Sequence, residues 1–331
     1  MLRRLSTRLA TGFGIVLLVT TFTFILISVA PGDPARLWVG PGAGEAELEA
    51  ARQALGLDRP LAVRYVSWLG NFLRGEWGTS LAHQRPVTQV IAAAVPHTLL
   101  LSIASLLLTY ILGILIGTIQ AIKRRTVLDT GLTVTSLMVY GMPAYWLAIM
   151  LVMVFSYGAV RFGWPTWLQF PAMGVARLDA DFLSPWEQLT DRIQHLTLPL
   201  LTLTLIGAAG TARFVRGAVI DVRSGGFVRT ARAKGLHPAT IETRHILRNA
   251  LLPVITLLGL SLPALFSGTV FVEVIFAWPG VGRIMVGAVG ARDYPVILAT
   301  TTIFAFLVVV GNLVADALYA AVDPRLRRSG A

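Results

Sequence analysis

Six long apolar runs divide this chain, each bounded by polar or charged segments. They cover Ala10 to Ala30, Thr98 to Ile122, Gly131 to Tyr157, Leu196 to Ala212, Leu252 to Val272 and Val296 to Val322. A helix rises about 1.5 Å per residue, so roughly 20 apolar residues cross the hydrocarbon core of a bilayer. No run alternates at period two, so a barrel is not supported. The pattern predicts an all-α integral membrane protein with six transmembrane helices. The fourth run is the shortest and contains Pro199, which leaves its ends the least defined. The first has basic residues ahead of it and Ser28-Val29-Ala30 behind it, as a signal peptide would. It exceeds the usual apolar core of about 7–15 residues, however. Pro31 directly after the site also opposes cleavage, so a retained helix is expected.

Between the first two runs, residues 31–97 carry a pattern of their own. Glu45 to Leu55 has helix-forming composition and stops at Gly56, which suits a left-handed cap. A second helix is predicted after Asp58 and Pro60, with Leu61, Tyr65, Trp68, Leu69 and Phe72 recurring as one apolar face. That face is expected to pack on membrane helices or lie in the bilayer interface. It can also offer a platform to a partner outside the cytoplasm.

Charge orients the helices. Residues 1–9, 123–130, 213–251 and 323–331 hold 17 Lys and Arg against four acids, Asp129, Asp221, Glu242 and Asp323. The other loops are nearly neutral. The excess of positive charge places these four segments, and both termini, in the cytoplasm. The expected organisation is a cytoplasmic N-terminus (1–9), a first span (10–30), a helical extracytoplasmic loop (31–97), a core of five spans (98–322) and a cytoplasmic tail (323–331). The core contains the long basic loop 213–251. A chain 55% hydrophobic and 14% charged has the balance of a multi-pass protein. Its net charge of +11 is topology charge facing anionic membrane lipid, and no nucleic-acid motif accompanies it.

Several chemistries lack their residues. No G-x-x-x-x-G-K-[S/T] loop is present to cradle phosphates, and no G-x-S-x-G elbow to present a nucleophile. The histidines (His83, His97, His195, His237, His245) show no metal-ligand spacing, and there is no cysteine. Asp316 is the only clearly intramembrane aspartate, so a two-aspartate membrane protease lacks its second acid. The sequence offers no catalytic residue and no metal site. A self-sufficient secondary transporter would need coupling-ion sites or inverted repeats, and neither is visible.

The basic loop is the most informative segment. Gly226-Phe227-Val228-Arg229-Thr230-Ala231-Arg232-Ala233-Lys234-Gly235 mixes small residues with three cations, followed by His237-Pro238 and then the fifth run. Gly235 can end a short helix, His237 can cap the next and Pro238 can start it. Elsewhere the chain carries Pro31-Gly-Asp-Pro-Ala35, Leu55-Gly-Leu-Asp-Arg-Pro-Leu61, Tyr65-Val-Ser-Trp-Leu69 and Gly78-Thr-Ser80. Near its end stand Glu273-Val-Ile-Phe-Ala-Trp-Pro-Gly-Val-Gly-Arg283, Asp293-Tyr-Pro295 and Asp323-Pro-Arg325.

In number, order and placement these words resemble the B-type permease subunit of the dipeptide/oligopeptide/nickel family of bacterial ABC importers. Gly75-Glu-Trp-Gly78 departs mildly from that family's usual Gly-Asp-Leu-Gly, and Arg229-Thr230-Ala231 stands where the wider superfamily has Glu-Ala-Ala. No role of that glutamate can therefore be carried over. The resemblance implies the ABC importer type I permease fold in a bacterial or archaeal cytoplasmic membrane. It implies a second, C-type permease subunit, two ABC ATPase subunits that bind ATP and Mg, and an extracytoplasmic substrate-binding protein. Gly226 to Gly235 would dock on an ATPase, and transport would proceed by alternating access. Peptide is the leading cargo, with nickel, glutathione-like compounds and oligosaccharides open within the same machinery.

Other residues are marked by their position in the runs. Gly141 and Pro143 interrupt the third, Pro199 the fourth, and Pro253 and Pro263 bracket the first half of the fifth. They are candidates for static kinks or for hinges. Asp316, with Asn312 one turn away, is costly in lipid and is expected to face protein or water. Glu273 is a candidate gate or interface acid.

Overall fold

The computed structural model describes residues 2–30, 34–40, 42–54, 56–261 and 269–322. The described residues are helical and otherwise irregular, apart from one isolated β-bridge between Thr79 and Pro86. In chain order the helices are α1 (Leu2–Val29), α2 (Pro34–Val39), α3 (Glu45–Ala54), α4 (Leu61–Leu73), α5 (Val87–Ile122), α6 (Val127–Gly141), α7 (Ala144–Val152) and α8 (Ala159–Arg161). They continue as α9 (Pro185–Arg223), α10 (Gly226–Ala233), α11 (Pro238–Thr240), α12 (Arg248–Ala250), α13 (Leu252–Ser261), α14 (Val270–Ile275), α15 (Val281–Ala291) and α16 (Tyr294–Val322). Wider π turns join α7 to α8 (Met153–Gly158) and α11 to α12 (Ile241–Leu247).

Among the described residues, five helices are long and apolar enough to span a bilayer: Ser6–Val29, Val87–Ile122, Ala144–Arg161, Pro185–Arg223 and Tyr294–Ala317. The fifth apolar run appears only as α13 and α14, because 262–268, including Pro263, lie outside the described residues.

Of the expected helix breaks, the one at Gly141 and Pro143 is present and the one at Pro199 is not. The third run is not one helix. It begins earlier, at Val127, where the Thr126 hydroxyl caps the Asp129 N–H, and it stops at Gly141. Met142 and Pro143 are both extended, and a new helix, α7, starts at Ala144. Proline's ring clashes with a helical residue before it, so Met142 is forced out of the α region. Pro199, in contrast, interrupts nothing. The 39-residue helix α9 runs straight through it, from a Ser184–Glu187 capping box with Pro185 in the first turn to Arg223. A proline lacks one N–H, but its neighbours Leu198 and Thr202 are buried, so packing holds the turn together. Pro253 sits in the first turn of α13, where no donor is needed.

The chain forms two compact units. One comprises residues 1–98 and 279–310. Its core is Val87, Ile91, Ala288, Val296 and Ala299, with Phe72 and Trp77 against it. Here α4 lies against α1 through an aromatic ladder, Phe24–Tyr65–Trp68–Phe72–Trp77, with successive rings 5.1–6.4 Å apart. The Tyr65 and Thr21 hydroxyls are 2.5 Å apart. Thus most of the apolar face expected on α4 packs on a membrane helix, while Leu61 stays exposed. Gly56, at φ +65°, closes α3 as a left-handed cap, with the Leu57 N–H reaching the Arg52 carbonyl at 2.8 Å.

Two short sequence words far apart in the chain meet in this unit. The Ser80 hydroxyl and the Ala82 N–H donate to Asp293 Oδ2 at 2.5 and 3.0 Å, and both Ser80 and Asp293 are fully buried. Asp293 thereby fastens the turn before α5 to the start of α16.

The second unit comprises residues 99–278 and 311–331. Its centre is a close crossing of α5 and α9. A Cβ on Gly113 would stand 2.5 Å from the Thr211 Cβ, one on Gly117 would collide with the Ala212 carbonyl, and one on Gly207 would lie 2.6 Å from the Thr109 hydroxyl. Gly113-Ile-Leu-Ile-Gly117 is a small-xxx-small stripe that lets two backbones touch in the membrane. Leu101, Leu147, Ala148, Leu198, Val272 and Phe276 pack toward one end, and Tyr110, Val215, Val219, Val228 and Ile246 toward the other.

Candidate functional site

The basic loop folds as a helix–turn–helix on the last turns of α9. Gly225 is the extended residue before α10, and Gly235 ends it at φ +72°. The Gly235 N–H bonds to the Arg232 carbonyl at 2.9 Å and the Leu236 N–H to the Ala231 carbonyl at 3.3 Å. This double closure uses the left-handed residue that glycine best supplies. His237 follows with Nδ1 accepting from the Ala239 N–H at 3.3 Å, and Pro238 opens α11. The segment then runs through the π turn and α12 into α13.

Burial divides α10 in two. Val228 and Ala231 point inward, into a cluster with Val215, Val219, Ile241 and Ile246. Ala231 therefore packs within its own chain and is not free to meet another surface, as its small size first suggests. The outward side presents Gly226, Phe227, Arg229, Thr230, Arg232, Ala233, Lys234 and Gly235, all exposed. Phe227 and Leu236 leave 47% and 39% of their surface open, at either end of the helix. The cations of Arg229, Arg232 and Lys234 make no ion pair among the described residues, and beyond its chain neighbours none of those residues lies within 4 Å of where a Gly235 Cβ would be. An exposed apolar residue at each end with unpaired cations between them is a surface suited to a partner groove.

Buried and half-buried charges brace this surface from behind, and composition alone does not reveal them. Asp129, only 4% exposed, takes a two-pronged contact from Arg216, with Nε and Nη2 each 2.9 Å from a carboxylate oxygen. It also accepts from the Arg125 N–H at 3.0 Å and the Thr133 hydroxyl at 3.3 Å. The Arg216 hydrogen bond is the main cause holding the Asp129 carboxyl down to about 2, from an ordinary 3.8. At the end of α9, Arg223 pairs with Glu242 and donates to the Ala121 carbonyl at 3.0 Å. Arg213 lies over the Tyr140 ring, 4.7 Å from its centre. The ends of α5, α6 and α9 and the π turn are thus locked to one another beside α10. Sequence counting registers these residues as topology charge. Asp129 three residues after the Thr126 cap, with Arg216 on a distant helix, carries no local signal of pairing.

The remaining candidates lie apart from this loop. Gly141 and Pro143 mark the α6–α7 break, and Pro199 and Pro253 sit within helices. Glu273 is fully buried in α14, with the Thr269 hydroxyl 3.0 Å from its Oε1. In α16, Asn312 is exposed and Asp316 half-buried. The described residues contain no cluster of three or more His, Cys, Asp or Glu able to hold a metal.

The comparisons bear on the whole chain. Over 94% of its length it is 42% identical to the oligopeptide transport system permease protein AppB of Bacillus subtilis (strain 168), covering 95% of that protein. It is 38% identical to the glutathione transport system permease protein GsiC of Escherichia coli (strain K12), over 94% of both chains. In fold it resembles the inward-facing MetNI methionine ABC transporter, with a TM-score of 0.53 at 17% identity over 71% of this chain and 97% of the other. Residues 1–102 match the N-terminal component of binding-protein-dependent transport system membrane proteins. Residues 113–328 match the main component, and the chain belongs to the family of binding-protein-dependent transport system inner membrane components.

Proposed function

We propose that this chain is a permease subunit of an ATP-driven importer of di- and oligopeptides, with α10 as the contact for a separate ATPase. The observation that carries this reading is the two-sided character of α10. Val228 and Ala231 bind it to the ends of the long helices, while Phe227, Arg229, Arg232 and Lys234 face outward, the three cations without an ion pair among the described residues. A push on the outer side is therefore passed to α9 and α13 through packed side chains rather than absorbed in a loose loop. The functional unit is a pair of permeases, this chain and a C-type companion, with two ATPases bearing ATP and Mg, fed by an extracytoplasmic binding protein. The chain crosses the membrane six times, with the fifth crossing over residues 252–272 and both termini in the cytoplasm. ATPase closure moves α10 and turns the helices from inward-open to outward-open. The oligopeptide permease from Bacillus subtilis supports peptide as the cargo class, and the glutathione permease supports a small-peptide-like solute on the same machinery.

The chain has no cysteine, so single reporters can be placed cleanly. Cysteines at Thr230 or Lys234 should cross-link to a cysteine-bearing ATPase subunit in the assembled complex, and the yield should change on ATP addition. Equal cross-linking from a cysteine at Asn71, on α4, would refute α10 as the contact.

A further inference from the structure

We propose that the cavity beside the C-terminal end of α1 binds an anionic glycerophospholipid through its phosphate group. The cavity holds about 590 Å³ and lies wholly within the first unit, between the end of α1, the α3–α4 connection and the start of α16. That size falls within the roughly 300–1,000 Å³ of small-molecule sites. Its position relative to the bilayer follows from α1. Phe24 and Ile27 line it, and they stand five and two residues before the end of the helix at Val29. At about 1.5 Å per residue the floor is within roughly 8 Å of the helix end, at the depth of the headgroup–acyl boundary.

The lining has the two halves that a phospholipid requires. Arg59 and Arg64 both border the cavity, and neither guanidinium has a hydrogen-bond or ion-pair partner among the described residues. Among the described residues on the wall, Glu76 is the only acid against these two arginines. A guanidinium left unpaired at the mouth of a pocket favours a phosphate oxyanion, which it can grip through two N–H groups. A small soluble anion would satisfy the arginines and leave the half-buried Ile27 and Trp68 facing water. A diacyl tail would cover them. Trp68, Trp77 and Tyr294 on the same wall are the residue types found at headgroup level.

The far side of α4 supports access from the bilayer. Val63, Val66 and Leu73 are 48%, 68% and 75% exposed, and with Gly70 they recur at a helical spacing of three and four. On α1, Phe22, Ile25, Leu26 and Val29 are likewise exposed. The helices that wall the cavity therefore turn apolar backs outward, as they would when immersed in acyl chains. This inference does not depend on which solute the protein transports.

Native mass spectrometry of the intact, delipidated chain in detergent would test it, titrating phosphatidylglycerol, phosphatidylcholine and soluble glycerol 3-phosphate in parallel. The tightest-bound phosphatidylglycerol should bind about tenfold better than phosphatidylcholine, and Arg59→Gln/Arg64→Gln should remove that advantage. Ser67→Trp, a neutral substitution at the cavity wall, should exclude the same lipid by filling space. It carries the test if the double variant loses its helical circular dichroism. Equal binding of the two lipids, or unchanged phosphatidylglycerol binding in the folded variants, would overturn the proposal. Glycerol 3-phosphate binding as tightly as the lipid would assign the cavity to a soluble phosphate instead. Displacement of the lipid by a free tripeptide at equal concentration would assign it to the solute path.

Discussion

Asp129 and Arg216 are opposite charges in a setting where neither can be lost cheaply alone. Arg216→Ala strands a carboxylate that is 4% exposed, and the expected loss is about 2–3 kcal/mol in thermal or denaturant unfolding. Asp129→Asn with Arg216→Gln should recover part of it, because no buried charge is then left over. A double variant as unstable as the two single losses added together would show that the residues do not act as a pair. The pH dependence has a definite sign. A carboxyl whose value drops from 3.8 to about 2 on folding stabilises the fold above its unfolded value, and that stability is lost as pH falls through about 2. The stability gap between the parent and Asp129→Asn should therefore stay level from about pH 5 to 8 and close only below about pH 4. A gap that moves near neutrality would belong to another group.

At the scale of elements, two glycine positions serve different ends. Gly117 exists for proximity, since any Cβ there meets the backbone of α9 at Ala212. Gly117→Ala is expected to cost about 1–3 kcal/mol, and Gly117→Leu to prevent accumulation of folded protein. Normal amounts of stable Gly117→Leu protein in the membrane would contradict the α5–α9 crossing. Gly235 exists for backbone shape, with open space around it and φ at +72°. Gly235→Asn, which tolerates the left-handed region, should keep transport. Gly235→Arg should insert in the membrane yet lose the ATPase, because bulk, charge and strain fall together on the outward surface. If the arginine variant retained its partner and full transport, the coupling role of the loop would be lost.

For the molecule as a whole, orientation and division of labour can be tested directly. Reporter fusions after Val322 should behave as cytoplasmic, and fusions near Asp58 as extracytoplasmic. Either result reversed would overturn the six-span reading. The spans as read from the sequence carry few charges: Glu273 is buried, Asp316 is half-buried and Asn312, one turn from Asp316, is exposed. A path with so little polar lining cannot hold a zwitterionic peptide tightly, since unpaired polar groups away from water are costly. Solute affinity should therefore be weak in the permease pair and high in a separate binding protein. Mass spectrometry of ligand carried by that partner would name the cargo. Micromolar affinity of the permeases alone would refute the division, and a metal chelate or sugar in the pocket would replace peptide.

The chain's own pattern was enough to establish helices in a membrane, because length and apolarity are local properties that bilayer thickness selects directly. Capping was equally legible: Gly56, Gly235, His237 and Pro238 act within a turn of their own position, so short-range chemistry decides them. What proline does was only half legible. Pro143 ends a helix by forcing Met142 out of the α region, whereas Pro199 is carried through by packing that its neighbours in sequence do not show. The inward turn of Ala231, the grip of Arg216 on Asp129 and the meeting of Ser80 with Asp293 were decided by tertiary structure alone. The last two join residues 87 and 213 positions apart. A sequence records which charges are present, but the pairing of distant ones follows from how the helices pack.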